Sequence, residues 1–172
     1  MTMTRTMEDV AKRAVALCLV AMYADDLRQH SSLKKSRMFI AVVSEMFSAT
    51  EFLSPSEKAF IMNDSPDSNT VIGFVWMYEC LNIMMYALSY HDHPGEPESF
   101  CDIDALITII NQKHSFETFL ADAKLRSPDE IEAMAEQYAH LTEKVEGNPE
   151  IVTARRRALN WLTGVEEIEN IW

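Results

Sequence analysis

Apolar residues recur along this chain at helical spacing rather than in the alternation of strands. The first helix is predicted from about Met7 to His30, apolar nearly all round between Ala14 and Ala24, which suits a central position in a bundle. After Ser31 and Ser32, the residues Phe39, Val42, Val43 and Met46 fall at i, i+3, i+4 and i+7 and mark the apolar stripe of a second helix. The stretch "GFVWMYECLNIMMYALSY", Gly73 to Tyr90, is almost unbroken apolar surface and predicts a buried central helix. A short helix follows at about Ile103–Gln112. Another begins after Ser127, with Ile131, Met134, Tyr138, Leu141 and Val145 on one stripe.

Local punctuation agrees with this division. "SPSEKAF" offers Ser54 as N-cap, Pro55 at the first helical position and Glu57 three residues after the cap, which is a capping box. "SPDEIEA" repeats the device at Ser127, Pro128 and Glu130. Asn148 opens the last long helix and Gly164 stops it. No stretch shows convincing strand alternation, an internal repeat or low complexity. The pattern predicts an all-α chain. It forms a single-domain helical bundle of six to eight helices over residues 1–172, with a short acidic tail at about 165–172 that ends in Trp172.

Composition narrows this picture. The 172 residues are 48% hydrophobic and include only 4 glycines and 6 prolines, so a sizeable core is available and turn-rich β structure is not. The net charge of −12 is unevenly spread. Residues 1–40 carry seven Lys/Arg against four acids, and residues 41–172 carry eight against twenty-three. Such a field opposes nucleic acid and anionic lipid and attracts basic partners, with only the small patch Lys34, Lys35 and Arg37 running the other way.

Cys18, Cys80 and Cys101 lack metal-motif spacing, and two of them lie in apolar runs, which points to reduced thiols in a cytoplasmic protein. Two stretches imitate membrane signals. "KRAVALCLVAMYA", Lys12 to Ala24, resembles an export signal, but Glu8 and Asp9 precede its basic pair and Leu17 spoils a lipoprotein box at Cys18. The Gly73–Tyr90 run contains Glu79 and Asn82 and has no flanking Lys/Arg, so no membrane span is expected there either.

Glu79 is the anomaly of the central run, because an ionised carboxylate in an apolar cylinder must be answered. At 100° per residue, Glu79, Asn82, Tyr86 and Ser89 share one seam. In the last helix, "PEIVTARRRALNWL", Arg155 points into the middle of an apolar arc of Ile151, Val152, Ala154, Ala158, Leu159, Trp161 and Leu162, while Arg156 and Arg157 point away. Arg13 shares a stripe with Val10, Leu17 and Val20. Glu79 is therefore expected to form a buried ion pair with Arg155 or Arg13, since guanidinium matches both carboxylate oxygens. The alternative makes Glu79 a general acid or base, but no His, Ser or Cys shares its seam.

Four collinear segments, "LSPSEKAFIMN" (53–63), "WMYECLNIMMYALSY" (76–90), "AKLRSPDEI" (123–131) and "RRRALNWLTG" (155–164), resemble the bacterial domain-of-unknown-function family 4272. The resemblance covers nearly the whole chain from about Ala11. It implies a helical protein without an established activity, in kinship with small immunity proteins that accompany polymorphic toxins. There are departures: the family's Trp-Arg-Tyr-Glu motif has Met77 in place of arginine, "EQYAHLTEK" replaces a His/Trp-containing motif, and the acidic-aromatic ending is reduced.

Two further clusters carry candidate chemistry. "HDHPGEPESFCDID" holds His91, Asp92, His93, Cys101, Asp102 and Asp104, a conceivable transition-metal set, but the simpler reading is a solvated loop with Asp102 as a helix cap. In the helix after Ser127, Asp129, Glu132, Glu136, His140 and Glu143 fall in a narrow arc opposite the apolar stripe. Acids at i+4 spacing without interleaved lysines forgo helix-stabilising pairs, which fits a surface made for a basic partner. Glu96 and Glu98, with Asp92, offer a second acidic contact. Nucleophile, P-loop and zincin motifs are missing. The expectation is a non-enzymatic, cofactor-free immunity protein that binds and occludes a basic toxin domain. An enzyme or small-ligand binder built on Glu79, Asn82, Tyr86 and Arg155 is the alternative, and a structural subunit of an assembly a third reading.

Overall fold

The computed structural model describes residues 5–30 and 32–165, so the acidic tail beyond Val165 lies outside the described residues. Helices α1 (Met7–His30), α2 (Leu33–Phe47), α3 (Pro55–Met62), α4 (Ser68–Val75), α5 (Met77–Ala87), α6 (Ile103–Asn111), α7 (Phe116–Asp122), α8 (Pro128–Lys144) and α9 (Pro149–Leu162) follow in order, with a 3₁₀ turn at Ala49–Phe52. No strand occurs among the described residues. The protein is an all-α, single-domain helical bundle. Among the described residues its helices number eight when α4 and α5 are taken as the single kinked run Ser68–Ala87.

Two helices form the centre. α1 is buried at every position from Val10 to Ala24 except Lys12, and α5 is buried at every position from Met77 to Ala87. They pack on each other, α9 packs on the far side of α5, and α8 lies outside α9. α2, the 3₁₀ turn, α3, α4 and α7 cover the remaining flanks of α1. Ser68–Ala87 is long and apolar enough to cross a membrane, yet most of it is buried inside the protein. The central run expected over Gly73–Tyr90 breaks at Trp76, whose ring packs 5.1 Å from that of Phe100. Ser89 does not extend the polar seam of α5, because it sits at φ 60° in the turn that follows.

Both predicted capping boxes are present: Ser54 with Glu57, and Ser127 with Glu130. Asn148 caps α9, Asp102 caps α6, and Gly164 adopts φ 77° after α9. Val145 is a departure. It ends α8 in the left-handed region and is 83% exposed, so it does not belong to the inward stripe.

The larger departure is α2. Three of the four residues of its predicted stripe face solvent, with Phe39 42%, Val42 67% and Met46 45% exposed; Val43 packs partly against the core, and Ser36, Ile40, Ser44 and Phe47 face inward. Two hydroxyls occupy the core side because each has a partner there. Ser36 donates to Asp26 (2.6 Å), and Ser44 pairs with the Thr50 hydroxyl (3.0 Å) and accepts from its amide (3.2 Å). Satisfied hydroxyls pack without desolvation penalty. Ile40 and Phe47 then set the rotation of the helix.

The two boxes differ in what else they hold. Glu57 is fully buried and its carboxylate also receives the Arg13 guanidinium at 2.6 Å. Glu57→Ala should therefore cost about 3–5 kcal/mol because Arg13 is stranded, whereas Ser127→Ala, at an exposed cap, should cost about 1 kcal/mol. Urea denaturation of the two variants checks this; equal losses would show that Arg13 does not depend on Glu57.

Candidate functional site

Glu79 and Arg155 are both 0% exposed. Arg155 Nε donates to one carboxylate oxygen of Glu79 at 2.7 Å, and the Cys101 amide donates to the other at 2.6 Å. Both oxygens are thus engaged. Arg13, the other candidate partner, is elsewhere: it belongs to Glu57, three residues into the first capping box, and the two ion pairs are separate. The heptad-like stripe shared by Arg13 and the core of α1 does not disclose which acid it faces, because Glu57 reads as a cap residue.

The remaining donors of Arg155 reach the loop between α5 and α6. Nη1 donates to the carbonyls of Gly95 (2.8 Å) and Glu96 (3.3 Å), and Nη2 to that of Ser99 (3.2 Å). Nη1 also meets the Tyr138 hydroxyl of α8 at 2.8 Å. One guanidinium therefore joins α5, α9, α8 and the loop. Tyr138 was legible only as an apolar stripe residue, and its hydroxyl supplies the polar end that this network uses.

Further bonds hold the loop. Asn82 donates to Pro94 O (2.8 Å), and the Asn148 amide donates to Pro97 O (2.9 Å). Gly147, at φ 82°, lets the α8–α9 turn approach Pro97 so closely that a Cβ there would sit 3.0 Å from the proline side chain. Arg126, which sequence reasoning passed over, donates to Tyr86 O (2.8 Å) and His91 O (2.9 Å). It also pairs with Asp92 (3.0 Å) and lies 4.2 Å over the Tyr86 ring. Its only sequence signal is its place immediately before the second capping box.

The loop expected as solvated is therefore pinned through its backbone, with Pro94 buried and His91 partly buried. Glu96, Glu98 and Asp92 are exposed. On α8, Asp129, Glu136, His140 and Glu143 are exposed as well, but Glu132 is half-buried and makes contacts of its own, so it is not a free member of the row. Among the described residues no group of three His, Cys, Asp or Glu side chains is placed to hold a metal ion. Burial pushes the Cys18 thiol up to about 12 and raises those of Cys80 and Cys101, so all three stay protonated at neutral pH. A cavity of about 250 Å³ lies beside the loop, lined by Asn82, His91, Phe100, Cys101 and Leu106 among others. Neither Glu79 nor Arg155 lines it.

The chain belongs to the family described as Domain of unknown function (DUF4272), whose profile it matches over residues 1–172. No curated protein and no solved structure matches it.

Two outcomes follow from this geometry. Glu79→Gln or Arg155→Met should each lower stability by about 3–5 kcal/mol, since each leaves a buried charge without its partner; denaturant midpoints equal to wild type would refute the role of the pair. The second concerns His91, whose Nε2 donates to Asn82 O (3.0 Å) in the neutral ring. Burial, assisted by the Arg126 charge, holds its pKa below the ordinary 6.5. The folded state therefore binds this proton less readily than the unfolded chain. The stability that the neutral ring supplies is complete above pH 6.5 and is lost as pH falls through the depressed pKa. His91→Gln, which keeps a donor but does not titrate, should flatten this part of the stability profile below pH 6.5; an unchanged profile would assign the dependence to other groups.

Proposed function

We propose that this protein is a non-enzymatic binding protein of the immunity type, which occludes a basic toxin domain with its acidic face. The observation that carries the reading is that exposed acids stand on two ordered segments, α8 and the α5–α6 loop. α8 turns Asp129, Glu136 and Glu143 outward. The neighbouring loop turns Glu96 and Glu98 outward, and its backbone is fixed by Arg155. Exposed acids on pre-ordered backbone gain little for folding but steer a cationic partner and reduce the ordering cost of docking. The Glu79 carboxylate supports the same reading, since both its oxygens are engaged in hydrogen bonds within the fold. The partner class is proposed from the resemblance to toxin-associated immunity proteins read from the sequence. A cytoplasmic location is proposed with it, because occlusion protects the producing cell only where the toxin would act.

The test is co-purification from the native operon, followed by kinetics with the captured partner. Glu136→Lys combined with Glu143→Lys should leave the melting temperature nearly unchanged. The same variant should slow association on the order of tenfold at low salt and flatten its salt dependence. Protection of cells that carry the partner should fall while the amount of folded protein does not. Wild-type association rates and full protection would overturn the proposal.

A further inference from the structure

The outward face of α2 is unlike any other helical surface described here. Met38 is 63% exposed, and together with Phe39, Val42 and Met46 it makes a continuous apolar stripe on one side of the helix. Arg37 extends it by binding the Ile61 and Asn63 carbonyls, which holds the end of α3 and the exposed Met62 alongside. Three methionines and an aromatic ring make a surface that adapts to an apolar counterpart.

The charges at the two ends of α2 say which counterpart. Lys34 and Lys35 stand in its first turn and Glu45 in its last. This is the reverse of what the helix dipole favours, which prefers acids at the N-terminus and bases at the C-terminus. The long helices α1 and α8 follow the favoured order, with Glu8, Asp9, Arg28 and His30 on the first and Asp129, Glu130 and Lys144 on the second. A second helix running antiparallel to α2 would compensate these inverted charges. Lys34 and Glu45 are eleven residues apart, or about three turns, so they lie on the same flank of the stripe. A two-fold axis passing between the levels of Met38 and Val42 then sets Lys34 of each copy against Glu45 of the other, at both ends. The same operation seats Met38 against Val42. Among the described residues neither Lys34 nor Glu45 has an ion-pair partner within the chain.

We infer that the α2 face is a self-association surface, on which a second copy of this chain packs antiparallel through Met38, Phe39, Val42 and Met46. The acidic face of α8 stays outside this interface, so the dimer and the binding of a basic partner are independent properties. A stable dimer buries about 800 Å² per subunit. Four side chains supply only the centre of such a contact, which places the dissociation constant in the micromolar range.

Sedimentation velocity of the full chain from about 1 to 200 μM, a range that brackets micromolar affinity, tests this. The wild type should pass reversibly from monomer to dimer. Val42→Glu should remain monomeric throughout with an unchanged melting temperature. Lys34→Glu and Glu45→Lys, each counted twice by symmetry, should each weaken the dimer about tenfold. The double exchange Lys34→Glu/Glu45→Lys should restore it to near wild type. A monomer at every concentration, or a dimer indifferent to Val42→Glu, would overturn the inference. Failure of the double exchange to restore association would overturn the antiparallel arrangement, even if Val42→Glu proved too poorly folded to read.

Discussion

The Glu79–Arg155 pair is the constraint around which this structure is arranged. Two charges removed from water gain little net stability from their attraction alone. What they gain here is placement. Arg155 has more donors than one carboxylate can accept, and the surplus goes to loop carbonyls and to Tyr138. Glu79 likewise has an oxygen to spare, and the Cys101 amide takes it. The pair therefore binds the α5–α6 loop from both ends while joining α9 to α5. Arginine does this and lysine does not, because a planar fork reaches several acceptors at fixed directions.

A second buried pair, Arg13–Glu57, plays a more local part. It uses the reciprocal residue of a helix cap as the counter-ion of the central helix, so that the start of α3 and the wall of α1 are held by one carboxylate. Between them the two pairs account for four of the charged side chains buried in the core. Each joins elements distant in the chain, and in each the carboxylate accepts a hydrogen bond from a backbone amide beyond the charge contact itself. Such networks restrict the bundle to one packing among the many that apolar helices permit.

Much of this was legible from residues alone, and the reasons differ by feature. Caps were readable because Ser-Pro-x-Glu and Asn-Pro act within four residues and need no tertiary context. The burial of α1 and α5 was readable because apolar residues on every side leave no face for water. Arg155 was readable as buried because it interrupts an apolar arc. The rotation of α2 was not, since Ser36 and Ser44 look polar in the sequence and become core residues only through Asp26 and Thr50. The partner of Arg13 was hidden for a similar reason: Glu57 serves as cap and counter-ion together, and only the first role is local. The pinning of the loop depends on four separate elements meeting, which no spacing rule encodes.

The central claim is that the buried pair exists to position the acidic loop rather than to stabilise the bundle. Hydrogen exchange on the double variant Glu79→Leu/Arg155→Met separates the two roles, because apolar replacement of both charges restores packing while removing the donors. The account predicts global stability near that of the wild type, together with lost protection at the amides of residues 95–101 and a weaker association with the proposed basic partner. Loop protection and binding that match the wild type in a stable double variant would contradict it.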